Sequence, residues 1–185
     1  MPETALLVMD VQNAVVAMLG DDGPELVATV ARAADAARAS GVPVIYVRVG
    51  FRPGAPEVSP HNPLFDRARA GGLGEDEEAS AVHPGVAPGP DDIVVVKRRV
   101  SAFAGSDLGV VLRALDARSL VLTGIATSGV VLSTLRQAAD LDFGLTVLED
   151  ACADRDLDVH RILMDKVFPR QAAVLSTDGW IGSLA

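Results

Sequence analysis

The sequence predicts an α/β fold, a Rossmann-like three-layer α/β/α sandwich around a parallel sheet. Three observations predict it. Six short runs, at 5–10, 44–49, 92–97, 119–124, 145–150 and 172–176, are apolar almost without interruption. Strands covered by helices on both faces read this way, whereas a half-solvated strand alternates apolar and polar residues. Between these runs lie segments with apolar residues at helical spacing, and strand–helix alternation with right-handed crossovers stacks helices on both faces of a parallel sheet. Finally, 185 residues with 49% hydrophobic and 22% charged side chains match an ordinary globular protein of one domain. One domain over 1–185 is expected; spacing alone leaves the strand order open.

The first run, A-L-L-V-M-D, closes on Asp10 and continues as V-Q-N. From about Pro24 to Ser40, Leu26, Val30, Ala33, Ala34 and Ala37 share one helical face. Gly41 follows, and glycine readily takes the left-handed conformation that ends a helix. After the second run, V-I-Y-V-R-V, the rhythm breaks from Gly50 to Asp91, where most of the prolines lie. Loops of this length inside compact domains are usually lids, binding loops or subunit contacts. A helix-like N-P-L-F-D-R-A-R-A interrupts it at 62–70, and disorder there would leave Phe51, Leu64 and Phe65 exposed.

The third run ends at Lys97, with Arg98 and Arg99 behind it as a solvated basic cluster, although either could reach an acidic substrate. Ser106-Asp107 then opens a helix carrying Leu108, Val111, Leu112 and Leu115 at i, i+3, i+4 and i+7. The fourth run turns sharply into another helix, marked by Val131, Leu135 and Ala138. The fifth leads into A-C-A-D, and a last helix from Asp156 to Phe168 stops ahead of Pro169.

Charge and composition exclude several functions. With 25 acidic against 16 basic residues the net charge is −9, so no basic field gathers phosphates and nucleic acid is not an expected partner. The stretch M-P-E-T-A-L-L-V-M-D has no basic leader, and its apolar part is too short for a signal peptide or a membrane span. A cytoplasmic protein without membrane contact is expected. Cys152 is the single cysteine, which rules out an internal disulfide and a multi-thiolate zinc site. His61, His83 and His160 show no tight ligand spacing, so neither metal nor cofactor is expected.

Ligands of parallel α/β sheets sit beyond the carboxyl ends of the strands. Asp10 stands at such an end, where desolvation raises a carboxyl pKa and makes it a usable acid or base; the same residue also caps turns. Lys97 shares that rim and could pair with Asp10 or hold a substrate carboxylate or carbonyl oxygen. The elbow after the fourth strand is where such enzymes mount a nucleophile, yet Val130 there has no nucleophilic atom. Thr127 and Ser128 belong to the turn, with no histidine nearby in sequence to activate them, and Cys152 reads as a small buried thiol.

Three blocks carry a resemblance: M-D-V-Q-N with Asp10, K-R-R-V-S-A-F with Lys97, and L-T-G-I-A-T-S-G-V-V-L-S-T-L-R-Q-A-A-D followed by V-L-E-D-A-C-A-D. In order and spacing, from the first strand to about Asp154, they resemble the isochorismatase-like hydrolase superfamily. The resemblance implies a six-stranded parallel sheet, homodimers or higher oligomers, and, in the cysteine-hydrolase members, an Asp–Lys–Cys active site. Asp10 and Lys97 match the first two positions, and Val130 falls at the third. It also implies a cis peptide between Ile125 and Ala126 that helps shape an oxyanion site from backbone N–H groups. Positions expected to line the pocket are Gln12, Asn13, Ile125, Ala126 and Thr127, with Arg48 and Arg52 as partners for substrate carboxylates. Isochorismatases proper lack the cysteine and cleave a vinyl ether with the Asp as general acid; A-T-S-G resembles the amidase branch more closely. The expected function is hydrolysis of a small anionic molecule without a cysteine nucleophile. The alternative is an inactive small-molecule-binding or scaffold protein.

Overall fold

The computed structural model describes residues 3–184; residues 1, 2 and 185, the outermost of the expected domain, lie outside the described residues. All six expected strands form: β1 (Thr4–Met9), β2 (Val44–Val49), β3 (Ile93–Lys97), β4 (Ser119–Ile125), β5 (Gly144–Ala153) and β6 (Ala173–Leu175). They make one six-stranded parallel sheet in the order β3-β2-β1-β4-β5-β6. The chain winds outward from β1 to β3 and then returns to the other side of β1. The β1/β4 boundary is therefore the switch point, where crossovers leave in opposite directions and a crevice opens at the carboxyl ends.

Helices are α1 (Asn13–Val16), α2 (Gly23–Ala39), α3 (Pro63–Ala70), α4 (Leu108–Ala114), α5 (Leu132–Asp140), α6 (Leu157–Ile162) and α7 (Thr177–Gly182). Alternate residues of each strand serve opposite layers. Ala5, Leu7 and Met9 of β1 pack with Leu108 and Leu112 of α4 and Leu135 and Ala138 of α5. Leu6 and Val8 face the other way, onto Leu26, Val30, Ala33, Ala34 and Ala37 of α2 and Trp180 of α7. Complete burial of leucines such as Leu7, Leu112 and Leu135 contributes about 1.5–3 kcal/mol each. Gly41 takes φ +69° just past α2, as a helix-ending glycine should.

The structure departs from the sequence reading mainly in length. α1 and α7 are too short to show helical periodicity. The expected 156–168 helix is regular only over α6, where Asp156 accepts from the Asp158 and Val159 N–H groups. It then widens into a π turn over Leu163–Val167 and tightens over Phe168–Arg170. β5 runs beyond residue 150 to Ala153, with a register shift against Leu122 and Gly124 that sets Cys152 opposite Gly124.

The 50–91 segment is built around its own apolar cluster of Val49, Phe51, Ala55, Phe65 and Leu73. Phe51 meets Phe65 edge-on, with ring centroids 6.1 Å apart. Isolated bridges join Phe51 to Gly74 and Gln12 to Val82, so both ends of the segment are fastened beside the sheet. No helix among the described residues is long and apolar enough to cross a membrane.

Candidate active site

The site starts from backbone geometry at the end of β1. The Asp10 N–H donates to the Val47 carbonyl at 2.8 Å, and the residue then turns to φ +55°. Asp tolerates this left-handed conformation better than most residues because its short polar side chain can bond locally. Lys97, the last residue of β3, sets its Nζ 2.9 Å from Asp10 Oδ2. The same Nζ donates to the Arg99 carbonyl at 2.9 Å. Both side chains are buried, and Asp10 Oδ1 has no hydrogen-bond partner among the described residues. Burial pushes the Asp10 pKa above the ordinary carboxyl value, and the Lys97 charge only partly offsets it. An unpaired buried acceptor costs about 1–3 kcal/mol, so it marks an atom with something to do.

Gly124 permits the adjacent strands to close this tightly. Paired with Met9 and held at φ +141°, it would place an added Cβ 2.1 Å from the Met9 carbonyl oxygen. The next peptide, Ile125–Ala126, is cis. The chain then makes a π turn over Thr127–Val131 before α5. Val130 is buried in the layer that holds Met9, Val131 and Cys152, so an isopropyl group stands where the resemblance puts a thiol. Cys152 is no replacement: it is buried, its Sγ lies 3.8 Å from the Leu122 carbonyl, and burial pushes the thiol up to about 12.

The elbow is held from the β5–α6 connection. Thr127 Oγ1 lies 2.8 Å from His160 Nδ1, and Asp154 Oδ2 accepts the Ser128 N–H at 2.7 Å. Sequence reading treats His160 as unrelated to the elbow, because the contact spans 33 residues and no local pattern signals it. Burial holds the His160 pKa below its ordinary value, with Asp154 and Glu149 opposing. His83 instead accepts the Gly85 N–H, and among the described residues no three His, Cys, Asp or Glu side chains gather as a metal site.

Several expected pocket residues are found fastening the 50–91 segment. The Gln12 amide is fully buried; it donates to the carbonyls of Val49 (2.9 Å) and Ser80 (2.7 Å) and accepts the Val49 N–H at 2.9 Å. Asn13 donates to the Glu78 carbonyl at 2.9 Å. Arg48 donates to the Glu75 carbonyl at 3.1 Å and Ser80 Oγ at 3.3 Å. Arg52 alone of these four polar side chains is exposed, 3.6 Å from Glu57.

The solvated cluster expected at Arg98 and Arg99 is corrected by the fold. The Arg98 guanidinium is largely buried, bonded to the Gly50 carbonyl and Glu75 and 3.4 Å from Glu57 Oε1. Arg99 donates to the Glu57 carbonyl at 2.8 Å and stands 5.3 Å above the Phe65 ring. The 50–76 stretch folds back over the end of β3, which largely buries the Arg98 guanidinium and partly covers that of Arg99. A cavity of about 390 Å³ lies in this stretch, lined by Phe51, Arg52, Ala55, Arg69, Glu75 and neighbours. Another of about 530 Å³ lies between α2 and the β5–α6 connection, lined by Thr29, Arg32, Asp154, His160 and neighbours. Neither is lined by Asp10 or Lys97.

Comparison with known proteins places the chain in a family and finds its fold among solved structures. Residues 4–179 match the Isochorismatase domain family. The chain is similar to the isochorismatase family protein YecD of Escherichia coli O157:H7, 35% identical over 98% of this chain and 96% of the relative. Similarity to the ureidoacrylate amidohydrolase RutB of Pseudomonas savastanoi is also 35%, over 98% of this chain and 81% of the relative. Among solved structures, an isochorismatase family protein from Burkholderia thailandensis superimposes with a TM-score of 0.86 at 32% identity, covering 100% of this chain and 96% of its own.

Proposed function

The chain belongs to the isochorismatase family of hydrolases, and from that premise we propose that it hydrolyses a small anionic molecule without a covalent intermediate. Asp10 is the general acid/base and Lys97 its electrostatic partner. The carrying observation is the buried Asp10–Lys97 pair, closed at 2.9 Å through Oδ2 with Oδ1 left over. A carboxylate with a raised pKa is the stronger base, and a partner on one oxygen leaves the other for water.

For an amide-type bond, Asp10 takes a proton from water as the water oxygen adds to the carbonyl carbon. Lys97 stabilises the negative oxygen that forms. Collapse breaks the C–N bond, and the nitrogen leaves with the proton that Asp10 gained, so the enzyme returns unchanged. Val130 supplies an apolar wall in place of a nucleophile. The relative named for ureidoacrylate, a carboxylate with a C–N bond to hydrolyse, supports this substrate class. The test is product release, read by mass spectrometry, over a panel of ureidoacrylate, nicotinamide, simple amides and isochorismate. Asp10→Asn should lower kcat on any panel substrate by about a hundredfold or more; an unchanged rate would sink the assignment.

Val130 favours the second reading, a binding or scaffold protein with no turnover. That reading gains if the whole panel stays intact in the wild type. We further infer a homodimer or larger homo-oligomer, supported by the exposed apolar side chains of Met18, Leu157 and Ile162. A cytoplasmic location is supported by the lone, inert thiol.

A further inference from the structure

Glu57 is a half-buried acid of the 50–91 segment whose geometry is incomplete. Its Oε1 accepts the Arg52 N–H at 3.0 Å and lies 3.6 Å from Arg52 Nη1 and 3.4 Å from Arg98 Nε. Its Oε2 is buried and has no hydrogen-bond partner among the described residues. Two guanidiniums thus converge on one oxygen of a carboxylate whose other oxygen is stranded. A structural ion pair selected for strength would use both oxygens, since arginine binds carboxylates best through two parallel N–H···O bonds. The pair also lies beside the dyad: the Gly50 N–H donates to the Lys97 carbonyl, Arg98 bonds the Gly50 carbonyl, and Arg98 follows Lys97 in the chain. Arg52 opens onto the 390 Å³ cavity.

We propose that Arg52 and Arg98 form the carboxylate subsite of this protein, and that Glu57 occupies it as an internal stand-in which an incoming carboxylate displaces. The exchange conserves charge, one carboxylate leaving as another enters. Arg98 is never left bare in the barrier, because Glu75 stays bonded to it. The stand-in can leave because its backbone belongs to an irregular stretch whose neighbours Arg52, Pro53, Gly54, Ser59 and Pro60 are exposed. Glu57 is held ionised: burial raises its pKa, but the Arg52 amide and the two guanidiniums more than reverse that. Selection follows from this arrangement. An uncharged ligand cannot replace a carboxylate between two arginines without leaving their charges less well compensated.

The inference rests on the reading that the substrate is an anion, and its test needs no turnover. Propionate and propionamide are titrated calorimetrically into the full chain. Glu57→Gln keeps a neutral acceptor for the Arg52 N–H and removes the competing charge, so it should bind propionate at least tenfold more tightly than the wild type, with propionamide unchanged. Adding Arg98→Gln should erase the gain; should that variant fail to fold, the exposed Arg52→Gln carries the same test. Asp10→Asn on the Glu57→Gln background should keep propionate binding, which separates this subsite from the hydrolytic reading. Equal propionate affinity with and without the Glu57 charge would overturn the proposal. So would a matching gain for propionamide, which would signal only a loosened loop, or loss of binding in Asp10→Asn.

Discussion

Asp10 and His160 show how one side chain takes its properties from partners distant in sequence. Asp10 is kept ionisable in the interior because Lys97 reaches it, and removal of either partner strands a buried charge. His160 is the opposite case, a group kept neutral by burial while it bonds Thr127. Its folded pKa lies below the ordinary value of 6.5, so the unfolded chain takes up the proton first as pH falls. The stability that His160 contributes is therefore present above 6.5 and is lost as pH drops through that value toward the folded one. Urea unfolding from about pH 7.5 down to about 5.5 should show the wild type losing stability relative to His160→Gln. Parallel curves for the two proteins would mean that the imidazole titrates alike folded and unfolded.

At the scale of the element, β1 and β4 meet where no side chain fits between them. Gly124 brings the β4 backbone against the Met9 carbonyl, one residue before Asp10 turns out of the sheet. Gly124→Ala must push that contact apart and shift the end of β1, at a cost of about 3 kcal/mol in urea unfolding. A change below about 0.5 kcal/mol would show that the strands have slack there. β5 contributes through its register shift, which carries it past the sheet far enough for Asp154 to accept the Ser128 N–H. The elbow's position thus depends on a neighbouring strand as well as on its own residues.

For the whole molecule, the decisive feature is how the 50–91 segment is sewn to the sheet. Gln12 ties the start of the segment to Ser80, with three side-chain hydrogen bonds to Val49 and Ser80, and Arg98 and Arg99 hold Glu57 and Glu75 between them. Gln12→Ala leaves buried backbone groups of Val49 and Ser80 without these partners, and each such loss costs about 1–3 kcal/mol. Local opening should rise at least about tenfold, read as faster cleavage by a glutamate-specific protease after Glu75, Glu77 or Glu78. Unaltered cleavage would show that the ion pairs alone hold the segment.

The sequence by itself determined the layers, the six strands and the rim on which Asp10 and Lys97 stand. Strands buried on both faces write their position as unbroken apolar runs, and helices of several turns write theirs as spacing. The same local record placed Val130 at the elbow. It carried nothing of the short helices α1 and α7, which lack a full period, nor of the true length of β5. Only the tertiary structure decided that Gln12, Asn13 and Arg48 fasten the segment, that Arg98 is largely buried against Glu57 and Glu75 with Arg99 over Phe65, and that His160 meets Thr127. The reason is physical. Apolar burial follows from periodicity within one element, whereas a polar side chain's role depends on which donor or acceptor another part of the chain delivers to it.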